Sequence, residues 1–395
     1  MTANASSPLA PAQYLPEGWV QWPDHPELSF QFARVLCAAQ EGASTISECF
    51  LAASRMTPGN LEDWYAEWQK MGAASFERAE KALKSGYIET AKANLLRGAN
   101  YYRSSEFYLG HDDPRRLETF GRTGALSRQY LELMSPAGEV LSIDVGDGTS
   151  LDAYFIKPAE QGVWPTVICF GGLDEYKDEL LHEIPKYAFP RGMALLLVDL
   201  PGQGGTLRLR KTASRPDTEV PVGKCVDYLL SRKDVDGDRI ALYGASVGGI
   251  YAARAASVEC RLKAVVSDSL IYDIHEYTKG MLAKPDALIW GHLKWVFGQP
   301  DMESVVERTK AFRMADFIGN IKAPYLIVQG EQDWLGLQTA VDAYEDAKAN
   351  GVDVQFKVFT AEETGASHCQ IDNATLGQEY ICDWIADKLG LTKAA

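Results

Sequence analysis

The chain has 395 residues, of which 46% are apolar, with seven cysteines and a formal net charge of −15. That length accommodates one large folded unit and a smaller one. The acidic balance excludes a nucleic-acid partner, which would need clustered Lys and Arg, and no apolar run is long enough to cross a bilayer.

The first 27 residues read as an irregular arm. Pro8, Pro11 and Pro16 fall in it, but neither a basic start nor an apolar h-region does, so no signal peptide is expected. An odd number of cysteines without CxxC pairing fits reduced thiols and a cytoplasmic location. Residues 28–135 carry a helical pattern throughout, with Leu61, Trp64, Trp68, Met71 and Phe76 on one face. Tyr101, Tyr102, Phe107 and Tyr108 in this region fit either an aromatic core between packed helices or a cavity lining, the core being preferred. Pro114 opens a further helix at a tolerated first-turn position. The helical region is expected to wall the substrate cavity or to form a homodimer interface.

From Gly138 the periodicity changes. Val140–Val145 and Leu151–Ile156 alternate around Gly146-Asp147-Gly148, a hairpin signature. Continuous apolar runs then alternate with helical stretches: Thr166–Phe170, Ala194–Val198, Ile240–Tyr243, Leu262–Val266, Tyr325–Val328 and Val354–Phe359. Strands buried on both faces with helices between them predict an α/β fold with a mostly parallel sheet over residues 136–395. Between about 270 and 320 the alternation stops. This stretch, rich in aromatic side chains and Met, is expected to form a helical lid, with Tyr272, Tyr277, Met281 and Trp290 as substrate contacts.

The chemistry centres on Gly244-Ala245-Ser246-Val247-Gly248. A strand run precedes it and a helical stretch follows, so Ser246 is placed at the apex of a nucleophile elbow. A hydroxyl nucleophile needs a base, and the base needs an acid to orient it. In this fold class the order along the chain is Ser, acid, His. Downstream of Ser246 stand His275, His292 and His368, and the first two fall in the expected lid. His368, in the loop after the last strand, is the expected base. Asp333, after the strand Tyr325–Val328, is preferred as the acid over Glu331 and Asp372, and Trp334 beside it is an expected substrate contact. An oxyanion needs two backbone N–H groups. They are expected from Val247 and, in the loop Gly171-Gly172-Leu173-Asp174, from Leu173 rather than Gly172. The loop Asp199–Gly205 lacks the Lys-Ser/Thr ending of a phosphate cradle and reads as a structural turn. No His/Cys/Asp cluster has metal-ligand spacing, so neither a metal nor another cofactor is expected.

Taken together, the motifs around Gly171, Asp199, Gly244, Gln329-Gly330-Glu331-Gln332-Asp333 and Ser367-His368-Cys369-Gln370-Ile371-Asp372 resemble the α/β-hydrolase superfamily. Behind a helical N-terminal region, they are similar to the group holding the fungal heptaketide-shortening hydrolase of the yellowish-green type, the bacterial 2,6-dihydroxypseudooxynicotine hydrolase and the FrsA-like esterases. The resemblance spans nearly the whole chain from about residue 20. It implies hydrolysis of an aromatic or polyketide-like carbonyl compound, at a C–C bond next to a ketone. It also implies an auxiliary acid in the cap, for which Glu276 and Asp273 are the candidates. A carboxylesterase or lactonase is the alternative reading, and a partner-binding protein with an unused hydrolase fold is a third, against which the complete triad speaks.

Overall fold

The computed structural model describes residues 20–173 and 175–392. Positions 1–19 of the expected arm, and Asp174 of the glycine loop, lie outside the described residues. The rest of the arm is packed: the Trp22 ring is buried edge-on against Phe32 and Trp64, with centroids 5.6 and 6.5 Å away.

Five helices come first: α1 (Pro26–Cys37), α2 (Ile46–Ala53), α3 (Leu61–Lys84), α4 (Ile88–Glu106) and α5 (Pro114–Glu132). Local chemistry sets their starts. The Asn60 side chain accepts from the backbone N–H of Glu62 and Asp63, satisfying two donors that the first turn of α3 would otherwise leave unpaired. The Asp113 side chain accepts from the Arg115 N–H in the first turn of α5, and Pro114 occupies the position where a missing N–H costs nothing. Trp64, Trp68 and Met71 form the buried stripe of α3, and the Trp64 indole donates to the Ser104 carbonyl of α4 at 2.8 Å.

The sheet has eight strands: β1 (Glu139–Asp144), β2 (Ser150–Ile156), β3 (Trp164–Phe170), β4 (Ala194–Val198), β5 (Val235–Ala245), β6 (Ala264–Asp268), β7 (Tyr325–Gly330) and β8 (Val354–Phe359). Their order is β1-β2-β4-β3-β5-β6-β7-β8. The β1–β2 and β2–β4 pairs are antiparallel, and all others are parallel. The continuous apolar runs have a direct cause. Ile168, Leu196 and Leu242 belong to the core on one face, and their chain neighbours Val167, Leu195 and Ala241 to the core on the other. β5 begins five residues before the apolar run, at Val235. Its first part, Asp236-Gly237-Asp238-Arg239, is polar and passes a register shift opposite Trp164 and Thr166, so hydropathy hides it.

Between and after the strands come α6 (Lys177–Glu183), α7 (Pro185–Ala188), α8 (Gly204–Arg208), α9 (Glu219–Leu230), α10 (Val247–Ala256), α11 (Ile274–Met281), α12 (Ile289–Phe297), α13 (Met302–Thr309), α14 (Leu337–Ala349) and α15 (Ala374–Lys388). The stretch 270–320 is helical, as its loss of strand alternation predicts. Buried ion pairs tie the first five helices to the sheet layer. Arg208 of α8 donates to Glu106 of α4 at 2.9 Å, and Arg103 of α4 pairs with Glu179 of α6 at 2.7 Å. Isolated charges would not survive such burial, so each pair fixes how α4 docks.

In the sheet order β3 lies between β4 and β5. The chain therefore leaves β3 toward one edge and returns on its other side, opening a crevice at the carboxyl ends of β3 and β5, where ligands bind in open α/β sheets.

Candidate active site

Ser246 sits in that crevice, between the end of β5 and the start of α10. Its backbone has φ 54° and ψ −122°, a conformation L-residues avoid. The flanking glycines make it attainable. A Cβ on Gly244 would stand 2.2 Å from the Gly248 carbonyl oxygen, and one on Gly248 would stand 2.3 Å from that of Gly171. The Ser246 N–H donates to the Asp268 carbonyl at 2.7 Å, anchoring the elbow to β6.

His368 follows β8, and its Nε2 lies 3.0 Å from Ser246 Oγ. Its Nδ1 lies 2.8 Å from Asp333 Oδ2. The other Asp333 oxygen accepts from the Leu335 N–H at 2.9 Å, which orients the buried carboxylate. The His368 ring lies against Trp334, at a centroid distance of 4.1 Å, and Phe30 of α1 packs edge-on against Trp334 at 4.5 Å. A hydroxyl bonded to an imidazole whose far nitrogen faces a carboxylate can pass its proton to that imidazole. Of the competing acids, Glu331 accepts from the Ala361 N–H at 2.8 Å. Asp372 accepts from the N–H groups of Gly365, Ala366 and Ser367 and shapes the His368 loop instead.

The serine opens on a cavity of about 180 Å³. Leu173, Val247, Tyr277 and Trp334 line it, and Tyr272, Met281 and Trp290 do not. Those three pack into the core: the Tyr272 hydroxyl donates to Asp346 at 2.6 Å, and the Trp290 indole to the Lys284 carbonyl at 3.1 Å. On α11, only the face of Ile274 and Tyr277 turns to the cavity. The lid acids are also misplaced by the resemblance. Asp273 caps α11 by accepting from the His275 and Glu276 N–H groups, and pairs with Arg313 at 3.1 Å. The Glu276 side chain is 60% exposed and pairs with Lys279. Neither lines the cavity. Of the four aromatics of the helical region, Phe107 lines it and Tyr101, Tyr102 and Tyr108 do not.

The sequence reading missed a polar wall. Phe30, Arg34, Cys37 and Glu41 reach the cavity from α1 and the turn after it, joined by Glu175, His182 and Glu183 from around α6. The only signals were the i, i+4, i+7 spacing from Phe30 and the four-residue spacing of Glu175, Glu179 and Glu183. These three carboxylates converge to within 4.8 Å. Two guanidinium groups answer them: Arg34 pairs with Glu175 at 3.1 Å and Glu179 at 2.6 Å, and Arg103 with Glu179. Burial, with Glu175 adding to it, pushes the Glu183 carboxyl well above the usual range. Burial pulls the His182 imidazole down to about 3, and the two guanidinium charges reinforce this.

The family described as esterase FrsA-like matches residues 36–290. The chain belongs to the FrsA-like esterases. The prolyl oligopeptidase family also matches, over residues 189–392, which hold the serine, aspartate and histidine. Among curated relatives, the α/β-hydrolase xenA of Xenoacremonium sinensis is 31% identical over 345 residues, covering 84% of this chain and 76% of its own. The 20-hydroxy-prefusarin hydrolase FUS2 of Gibberella moniliformis is 29% identical over 339 residues, covering 76% of this chain and 80% of its own. The solved structure of 2,6-dihydroxy-pseudo-oxynicotine hydrolase has the same fold, with a TM-score of 0.77 at 24% identity over 92% of this chain and 97% of that one. This FrsA-like chain is therefore an enzyme, an α/β-hydrolase. No helix among its described residues is long and apolar enough to cross a membrane.

Proposed function

We propose that this α/β-hydrolase is a serine hydrolase acting on an aromatic or polyketide-like carbonyl compound, which it cleaves at a C–C bond next to a ketone. The observation that carries the serine chemistry is the continuous line from Ser246 Oγ through His368 to Asp333, at 3.0 and 2.8 Å, facing a cavity. Ser246 Oγ attacks the carbonyl carbon as its proton passes to His368 Nε2, and Asp333 holds the resulting imidazolium. The N–H groups of Val247 and Leu173 take the oxyanion. When the tetrahedral adduct collapses, the C–C bond breaks and its electron pair stays with the leaving carbon, spread into a neighbouring carbonyl or hydroxylated ring. His368 returns the proton to that carbon, since Glu276 and Asp273 stand outside the cavity. Water then hydrolyses the acyl-serine by the same route.

The substrate class draws on the relative named for 20-hydroxy-prefusarin and on the apolar and aromatic side chains around Ser246. Ester or lactone hydrolysis is the second reading, favoured by the position of Glu276 and Asp273, because an alkoxide leaves with His368 as its only acid. Ser246→Ala tests the common step. Turnover should fall by about 10⁴–10⁶-fold, labelling by a fluorophosphonate should vanish, and the melting temperature should hold. Retention of more than about a tenth of the activity would remove Ser246 from the chemistry. The ratio of kcat/KM for an aryl 1,3-diketone to that for an aryl ester separates the two readings.

A further inference from the structure

The loop after β3 is held from two sides. On one side Gln203 Nε2 donates to the carbonyls of both Gly171 and Gly172, at 2.5 and 2.9 Å. A trans peptide points its N–H opposite its C=O, so the N–H groups of Gly172 and Leu173 face the other way. There Glu175 Oε2 accepts from Gly172 at 2.8 Å. The N–H of Leu173, a cavity-lining residue, has no hydrogen-bond partner among the described residues. Gly172 packs directly on the serine: a Cβ built on it would stand 2.9 Å from Ser246 Cβ. The carboxylate is in turn met by Arg34 from α1, at 3.1 Å, and Arg34 is anchored at 2.6 Å on Glu179.

We propose that Glu175 and Arg34 form a clamp that presets the oxyanion site, with Glu175 fixing the Gly172 peptide and Arg34 cancelling its charge beside the developing oxyanion. This rests on the serine-hydrolase reading. Both are positioning residues. In the step they serve, the Ser246 Oγ–carbon bond forms, the carbonyl π pair moves onto oxygen, and the serine proton goes to His368. A bare carboxylate near that oxygen would oppose the step, and the guanidinium removes the opposition. The clamp also gives the N-terminal helices a part in catalysis, because Arg34 belongs to α1.

The test uses the full chain, 4-nitrophenyl acetate as substrate and 2,2,2-trifluoroacetophenone, whose serine adduct carries the oxyanion, as inhibitor. Glu175→Ala should lower kcat by about 10–100-fold, somewhat less than outright loss of one oxyanion donor. KM should change little, and inhibitor affinity should fall by the same factor as kcat/KM. Glu175→Gln keeps an acceptor for the Gly172 N–H and should retain most of the activity. Arg34→Met should be impaired, and adding Glu175→Gln to it should restore activity by removing the uncompensated charge. A purely structural role predicts losses that accumulate in the double variant. The clamp is overturned if Glu175→Gln is as impaired as Glu175→Ala, if the double variant is worse than Arg34→Met, or if inhibitor affinity is unchanged while kcat falls. Should the Arg34 variants not fold, the Glu175 pair decides alone. A wild-type enzyme that neither hydrolyses the ester nor binds the ketone would instead sink the serine-hydrolase reading, and the clamp with it.

Discussion

Asp268 should lower the stability of the protein as pH rises through about 6. It ends β6, is 1% exposed, and lies beneath the His368 loop. Its Oδ1 accepts from Gln370 Nε2 at 3.0 Å and its Oδ2 from the Tyr243 hydroxyl at 3.3 Å. Burial pushes its carboxyl from 3.8 up to about 6; the Asp333 charge adds to this, and the Gln370 bond and His368 oppose it. A carboxyl whose pKa rises on folding binds its proton more tightly in the folded state. Its stabilising contribution is thus complete below about pH 3.8 and is lost as pH rises through about 6. A shift of roughly two units corresponds to about 3 kcal/mol in full, of which about 1 kcal/mol is already lost at pH 4.5. Asp268→Asn has the same shape, keeps an acceptor for Gln370 and does not titrate. The stability of the variant relative to wild type should therefore rise by about 2 kcal/mol between pH 4.5 and 7.5. For a chain of this length that is a shift of about 2–3 °C in the melting-temperature difference. Thermal melts of both proteins across that range are the assay. His182, depressed to about 3, has the opposite sign and is lost as pH falls below its unfolded value, but it is common to both proteins and cancels. A difference that stays flat, or narrows as pH rises, would refute the reasoning.

Asp333→Asn should lower kcat by about 10⁴-fold, because an amide cannot hold His368 in the tautomer that accepts the serine proton. Glu331→Gln should leave kcat nearly intact, and Asp372→Asn should chiefly cost stability, on the order of 1–3 kcal/mol, since its carboxylate serves three backbone amides. Ester kinetics with parallel melts distinguish the three. Glu276→Gln should change kcat/KM by less than about 2-fold on both ester and diketone, as expected of a surface substitution. Asp273→Ala should cost about 1 kcal/mol of stability through the lost helix cap. A selective loss of diketone cleavage in either variant, measured as the ratio of the two kcat/KM values, would return these acids to the chemistry.

How much was legible in the sequence depended on the range of the interactions involved. The elbow could be read because its constraint is local: Gly244 and Gly248 surround a strained serine within five residues, and no other residue fits. Asp333 and His368 could be placed because buried parallel strands announce themselves as apolar runs, and their carboxyl ends must share one edge of the sheet. Periodicity shows that a face is buried but not what it is buried against. Tyr272, Tyr277 and Met281 look alike in the sequence, and only Tyr277 turns toward the cavity. The same limit misplaced Glu276, whose aromatic-rich surroundings in sequence are not its surroundings in space. The polar wall was hidden for a stronger reason. Arg34 and Glu179 are 145 positions apart, and each alone reads as an ordinary surface charge on an amphipathic helix. Burial becomes tolerable only when the partner is present, so neither residue signals its place without the other. The loop after β3 was legible in its backbone, as two glycines beside the serine, and illegible in its support, since the carboxylate that accepts from Gly172 is itself met from α1. Local constraints such as the glycines around Ser246 can be read along the chain, whereas an ion pair such as Arg34 with Glu179 comes into view only once the chain is folded.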